Sequence, residues 1–475
     1  MHFLKNISAL FIYAVLIGCA AAPTPMISPG EPSPRPTITA IAGMDDDAAI
    51  QALGLGTANW GYQVVDARSG KVVASHQPDV SFPPASTAKL PTMIAALQIL
   101  GPDHRFSTRL YARGTLRAGV LTGDLVLSGD GDPLLTAGDL RALVIRLRDI
   151  GITKVEGRFL FHSVIPEFAE VEPTQPETAP YNQGLGGLNL EFNRALLTRP
   201  IQGSDKDAYT TPPEAMPFTP SEARQIVGRY ALPVQKPAEL TANIFRKFAA
   251  MEGIDLPEPG AGTPPEDALI LAQIKSQPLI EIARAGLEYS NNMVAEIVGL
   301  TAARHQTEAV TTLAQSAKTL GAWLDQEIPK LNGFEKALTN HSGLSTSSRI
   351  SPSQMSALLG YAKDKHFEGW RFDALLAPGG ARDNFRGRFR SPDLAYRVWA
   401  KSGTMRYIKG LAGYLDTASG KRLIFSIFVF DPAKRDQLEN NPERFSSRAR
   451  RQSSAWRNNV EHFEEGLIQR WIRAH

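Results

Sequence analysis

The sequence predicts a mixed α/β (α+β) fold, an antiparallel sheet flanked by helices with β-rich subdomains inserted between its two ends. Three observations predict it. The β-prone runs Tyr62 to Asp66 and Lys71 to Ser75 flank a turn at Ala67-Arg68-Ser69-Gly70, and Leu411 to Leu415 and Leu423 to Phe430 flank Thr417-Ala418-Ser419-Gly420-Lys421. The chain then closes on Val460, Phe463, Leu467 and Trp471, whose spacing makes one apolar helical face. Between these ends, residues 105–265 carry short β-like runs such as Gly123 to Gly129 and a proline-dense stretch from Pro173 to Pro180, which marks an insertion.

Helical spacing returns over 266–324, where Leu269, Leu271, Ile274, Leu279, Ile282 and Ala283 recur. The expected organisation is therefore a main domain from 46–104 and 266–475, interrupted by inserted subdomains over 105–265. At 475 residues and 43% apolar, the chain is long enough for more than one domain and a large core. The net charge is only +3, and aromatics do not interleave with basic runs, so nucleic acid is not an expected partner. The arginine-rich stretch from Arg444 to Arg457 reads as solvated surface.

Cys19 is the single cysteine, which excludes an internal disulfide and a cysteine-based metal site. Lys5 and the apolar run Ile7 to Gly18 form the positive and hydrophobic regions of a signal peptide over 1–18, too short to span a bilayer. Leu16-Ile17-Gly18-Cys19 resembles the lipobox of bacterial lipoproteins. That resemblance implies lipidation of Cys19 and a periplasmic protein anchored to the membrane; Ala20, in place of the retention-signal Asp, implies the outer membrane. Residues 19–44, dense in proline near their start, read as a tether.

Phe82-Pro83-Pro84-Ala85-Ser86-Thr87-Ala88-Lys89-Leu90 opens a helix-prone run, so Ser86 sits at a helix start with Lys89 one turn away. A serine hydroxyl needs a base to become a nucleophile. Lysine serves only if its proton affinity falls; a drop of about three pKa units is about 4 kcal/mol, which burial and a second cation supply. With 30 serines and 17 lysines in 475 residues, one Ser-x-x-Lys is the number chance provides, so the pair alone proves nothing.

Two further motifs change its meaning: Ser290-Asn291-Asn292 between helical segments, and Lys401-Ser402-Gly403-Thr404 after the β-like run Tyr396 to Ala400. In this order they resemble the Ser-x-x-Lys, Ser-x-Asn and Lys-Thr-Gly set of penicillin-binding proteins and serine β-lactamases. Pro84-Ala85-Ser86-Thr87-Ala88-Lys89-Leu90-Pro91-Thr92, Gly129-Asp130-Gly131-Asp132-Pro133 and Ser342-Gly343-Leu344-Ser345 narrow the resemblance to the D-alanyl-D-alanine carboxypeptidase/endopeptidase family related to penicillin-binding protein 4. The long gap between Ser86 and Ser290, 290 − 86 = 204 residues, fits a family with inserted domains.

The resemblance implies a transpeptidase-like fold, acyl-enzyme chemistry on peptidoglycan peptides ending in or cross-linked through D-Ala, and inhibition by β-lactams. It implies Ser86 as nucleophile, Lys89 as base and Ser290 as proton relay. Asn292 would hold the substrate amide, while Lys401, Ser402 and Thr404 receive its carboxylate. Gly403 would keep the strand edge clear for substrate, and the backbone N–H groups of Ser86 and Thr404 would form an oxyanion hole, where one donor is worth about 3–4 kcal/mol. Asn340-His341 departs from the family's Asp-Gly at that point, and His341 reads as a loop residue. The histidines show no metal-ligand spacing, and neither a cofactor nor a metal is expected. Two other readings stand beside this one: a β-lactamase-like hydrolase, and a non-catalytic wall-binding lipoprotein.

Overall fold

The computed structural model describes residues 35–199, 208–221, 223, 226–367, 369–381 and 384–475; Cys19, the signal segment 1–18 and the proline-dense part of the tether lie outside the described residues. The main sheet is assembled from both ends of the chain. Its strands are β1 (Asn59–Asp66) and β2 (Val72–His76), then, beyond the helices α1 (Lys89–Ile99), α2 (Leu279–Glu288) and α3 (Asn292–Gln306), β3 (Ala377–Pro378), β4 (Val398–Met405), β5 (Ile408–Asp416) and β6 (Arg422–Phe430). The chain ends in α4 (Ser447–Ala474). The sheet order β3-β4-β5-β6-β1-β2 puts the first hairpin beside the last strand, with β1 antiparallel to β6 from Asn59↔Phe430 to Asp66↔Leu423.

Turn chemistry sets the β1–β2 and β5–β6 hairpins. The Asp66 carboxylate accepts the backbone N–H groups of Arg68 and Ser69 at 3.1 and 2.7 Å, and Gly70 takes the left-handed conformation at φ +71°. At the second turn the Thr417 hydroxyl accepts the Lys421 N–H at 3.0 Å and Gly420 sits at φ +83°.

Strand alternation then sorts β6 between two cores. Leu423, Phe425, Ile427 and Val429 pack with Phe463, Leu467 and Trp471 of α4, whereas Ile424 and Phe428 face the helical side with Leu90, Met93 and Ile94 of α1. Each such fully buried side chain contributes about 1.5–3 kcal/mol of transfer free energy. The sheet is thereby clamped between α4 and the helices that carry the site.

Two expectations fail here. Ile38–Gly43 is a helix rather than tether: Ile41 is fully buried and lies where a side chain on Gly466 of α4 would be, 2.3 Å from the glycine's virtual Cβ, and Arg470 donates to the Ala42 and Met44 carbonyls. Leu269–Lys275 is a strand rather than helix. It pairs antiparallel with Ser107–Arg113 and closes the insertion's five-stranded sheet, so that sheet runs past residue 265. The strand Ser107–Arg113 offers this segment an antiparallel partner edge, and pairing with it overrides the helical spacing.

The same five-stranded sheet packs the helices Ala137–Asp149 and Pro237–Met251 into a separate core, and a three-stranded sheet of Arg194–Arg199, Tyr209–Thr211 and Gly228–Pro233 adds a small satellite. Among the described residues no helix is long and apolar enough to cross a membrane.

Candidate active site

Ser86 lies on a single 3-10 turn, Ala85–Ala88, that feeds directly into α1. Thr87 ties the turn down by donating its hydroxyl to the Pro84 carbonyl at 2.7 Å, and Ala85 is forced to φ +46°. Strain of this kind in a non-glycine residue survives only where surrounding structure imposes it. Two glycines impose it from either side. A Cβ on Gly343 would sit 1.9 Å from the Ala85 carbonyl oxygen, and one on Gly403 would sit 2.6 Å from the Pro84 oxygen and 2.8 Å from the Ser86 nitrogen. Gly403 is thus required chiefly to let β4 press against the nucleophile's turn, a nearer reason than clearance for substrate. Gly403→Ala is expected to cut acylation of Ser86 by a serine-directed probe about tenfold or more and to cost about 1–3 kcal/mol of stability, because the new Cβ meets backbone that must move.

Lys89 is fully buried behind Ser86. Its Nζ lies 2.9 Å from Ser86 Oγ, 2.8 Å from Asn292 Oδ1 and 2.9 Å from the Ser342 carbonyl oxygen. Two of those three partners can only accept. A neutral amine has two N–H donors and one lone pair, so donating to Asn292 and Ser342 leaves the lone pair toward the Ser86 hydroxyl. Burial pushes the Lys89 proton affinity well below its ordinary value, and the Lys401 charge pushes the same way; Glu296 opposes them.

The amide of Asn292 is oriented by its other end, where Nδ2 donates to the Tyr181 carbonyl at 3.0 Å. Both ends of this side chain are therefore engaged within the protein, which makes Asn292 a bridge between the lysine and the insertion. Ser290 precedes the Asn291 cap of α3 in the left-handed conformation, φ +55°, and lines the cleft with Ser86. No hydrogen bond links the Ser290 hydroxyl to Lys89 or Ser86 among the described contacts.

One turn along α3, Glu296 is fully buried, and its carboxylate accepts the backbone N–H groups of Ser342 at 2.7 Å and His341 at 3.0 Å. Burial pushes its pKa up, while those hydrogen bonds and Lys89 pull it back. Glu296 holds the Ser342 carbonyl where Lys89 needs it. Sequence reasoning missed this residue, although a lone carboxylate inside Met293-Val294-Ala295-Glu296-Ile297-Val298 was a visible signal. His341 is buried too, with Nε2 2.7 Å from Ser316 Oγ, and burial pushes its pKa down to about 3, so it is a neutral prop.

β4 supplies the remaining candidates. Lys401 is buried and donates to the Ser402 carbonyl at 2.8 Å; burial, then the Lys409 charge, push its pKa down to about 7. Ser402 and Thr404 line the cleft beside it. β3 pairs only with Trp399 and Ala400, so the β4 edge from Lys401 onward is open to an extended ligand.

The cleft encloses about 1720 Å³ and is walled by three parts of the chain. The main domain contributes Ser86, Ser290 and β4. The insertion contributes 174–181, including Tyr181, and the C-terminal region contributes Arg406, Arg435, Arg444, Arg450 and Arg457. The stretch 444–457 is only partly surface, since Ala449, Ser453 and Trp456 are buried and Arg457 is half-buried, and its Arg444, Arg450 and Arg457 rim the cleft and favour anions there.

The arrangement can support serine acyl transfer. The profile of the D-Ala-D-Ala carboxypeptidase 3 (S13) family matches residues 45–203 and 221–449. The D-alanyl-D-alanine carboxypeptidase of Actinomadura sp. (strain R39) is 26% identical over 454 residues, covering 81% of this chain and 80% of its own. D-alanyl-D-alanine carboxypeptidase DacB of Haemophilus influenzae is 22% identical over 426 residues, covering 78% and 85%. The crystal structure of penicillin binding protein 4 (dacB) from H. influenzae superposes with a TM-score of 0.75 at 21% identity, covering 90% of this chain and 100% of that one.

Proposed function

The chain belongs to the D-Ala-D-Ala carboxypeptidase 3 (S13) family and is a penicillin-binding serine carboxypeptidase/endopeptidase of peptidoglycan, and we propose that its reaction runs through an acyl-enzyme on Ser86. Ser86 Oγ attacks the carbonyl carbon of the D-Ala that precedes the scissile bond, as Lys89 Nζ takes the hydroxyl proton. The oxyanion forms between the backbone N–H groups of Ser86 and Thr404. Ser290 passes the proton from Lys89 to the departing amine, which restores the Lys89 lone pair. Water then attacks the ester carbonyl as Lys89 takes its proton, the bond to Ser86 Oγ breaks, and Lys89 returns the proton to Ser86 as the acid is released.

The observation that carries this reading is the Lys89 amine, whose two N–H groups are taken by obligate acceptors so that its lone pair is left for Ser86. Lys401, Ser402 and Thr404 are assigned to the carboxylate of the leaving residue, and the arginine rim favours acidic stem peptides. A cleft of about 1720 Å³ has room for peptide on both sides of the scissile bond, which suits cross-linked as well as terminal substrates.

The test is digestion of purified muropeptides by a soluble form beginning at residue 35, which keeps the Ile38–Gly43 helix, with mass analysis of the products. Loss of terminal D-Ala and loss of cross-linked dimers are the expected changes. An intact digest together with no acylation by labelled penicillin refutes the proposal, and rapid penicillin turnover replaces it with a β-lactamase.

Lys401 gives the reaction an alkaline limit. It must be protonated to hold a carboxylate, and its pKa in the free enzyme is about 7. As pH rises through about 7 that proton leaves, so kcat/KM for a carboxylate-terminated substrate should fall toward tenfold per unit, whereas kcat persists to higher pH because bound carboxylate retains the proton. Initial rates across pH 5–9, split into kcat and KM, check this.

We further propose that Cys19 carries lipid and that the enzyme works in the periplasm from a membrane anchor. Leu16-Ile17-Gly18-Cys19 and the proline-dense segment after it support this. Incorporation of labelled fatty acid that survives Cys19→Ala sinks it.

A further inference from the structure

Lys409 occupies the second position of β5, in Ile408-Lys409-Gly410-Leu411, all of it buried. Its side chain is 3% exposed, and an ammonium in such a place costs several kcal/mol unless partnered. An apolar residue would meet the demands of the strand without that cost. The partners explain the choice. Nζ lies 3.0 Å from Glu461 Oε1 on α4 and 3.0 Å from Thr404 Oγ1, the residue directly opposite it across the β4–β5 pair.

An ammonium donates and never accepts. The Thr404 oxygen therefore accepts from Lys409, and the Thr404 hydroxyl hydrogen has to point elsewhere. Thr404 is exposed to the cleft, beside Lys401 and Ser402. Resting on the acyl-transfer reading above, we propose that Lys409 is a positioning residue that locks the Thr404 hydroxyl as a donor to the terminal carboxylate of the substrate, with Glu461 holding Lys409 in place. Specificity for a free carboxylate is then set from the strand behind the one that touches substrate.

Lys409→Met separates this role from a purely structural ion pair. Two peptides are compared that differ only in a terminal carboxylate or carboxamide. At about pH 6, where Lys401 is protonated with or without the Lys409 charge, the expected result is a loss of about tenfold or more in kcat/KM for the carboxylate, mainly through KM, with the carboxamide changed by less than about twofold. Lys409→Arg, which keeps the donor, should retain the carboxylate preference. In a Thr404→Val background Lys409→Met should cost almost nothing more, since its target is gone.

Equal losses on both peptides, no loss on either, or full additivity with Thr404→Val overturns the proposal. Should Lys409→Met unfold by stranding Glu461, the paired Lys409→Met, Glu461→Gln variant removes both charges and gives the same comparison. Failure of the parent enzyme on both peptides would instead indict the acyl-transfer reading itself.

Discussion

Ser86→Ala should abolish covalent capture of a labelled penicillin and lower D-Ala release from muropeptides by about 10⁴-fold or more, because Ser86 is the serine placed against the base. The cleft contains two other serines from the same motifs, Ser290 and Ser402, so the prediction is a real discrimination. Lys89 Nζ lies 2.9 Å from Ser86 Oγ, while no hydrogen bond to it from either of the other two is seen among the described residues. Fold is expected to survive the change. It deletes one half-buried oxygen and leaves Lys89 its bonds to Asn292 and Ser342, so stability should shift by no more than about 1 kcal/mol. A variant that melts like the parent yet still takes the label would move the nucleophile elsewhere.

How far the chain could be read in advance follows from the range of each interaction. The β1–β2 and β5–β6 hairpins of the main sheet were legible because Asp66, Gly70, Thr417 and Gly420 act within a few residues of themselves, whereas the β4–β5 hairpin, closed by Arg406 and Tyr407, carries no such turn residues. The two local misreadings have distant causes. Leu269–Lys275 becomes a strand through Ser107–Arg113, and Ile38–Gly43 becomes a docked helix because Gly466 leaves space for Ile41.

The site divides the same way. Ser86, Lys89, Ser290, Asn292 and Lys401 to Thr404 stand in short motifs, and the fold brings them to one cleft or directly behind it. Glu296, Tyr181 and Lys409 act across 46, 111 and 5 residues, on Ser342, Asn292 and Thr404 respectively. The first two contacts need the tertiary fold. The third is local, but a lysine two residues into an apolar strand carries no motif.

Lys89 provides the second large effect. Lys89→Met keeps a straight, similarly sized chain and removes the base, so acylation by penicillin and turnover of peptide should both fall by about 10²–10⁴-fold. Its effect on folding is a balance. The carbonyl oxygens of Asn292 and Ser342 each lose a donor, at about 1–3 kcal/mol apiece, whereas burial of an amine in a dry site is no longer required. Glu296 keeps two backbone donors, and its raised pKa lets it take up a proton.

Lys89→Arg is the sharper variant. Arginine retains a cation and hydrogen-bond donors but cannot give up its proton, so it supplies everything except a lone pair. If Lys89 served mainly to hold a positive charge near the oxyanion, the arginine variant would keep much of the rate. If it acts as a base, the loss should match that of Lys89→Met, at any pH where the protein is folded. Stopped-flow acylation of the two variants decides between a charge and a lone pair, and comparable activity of Lys89→Arg and parent would remove the base from the mechanism.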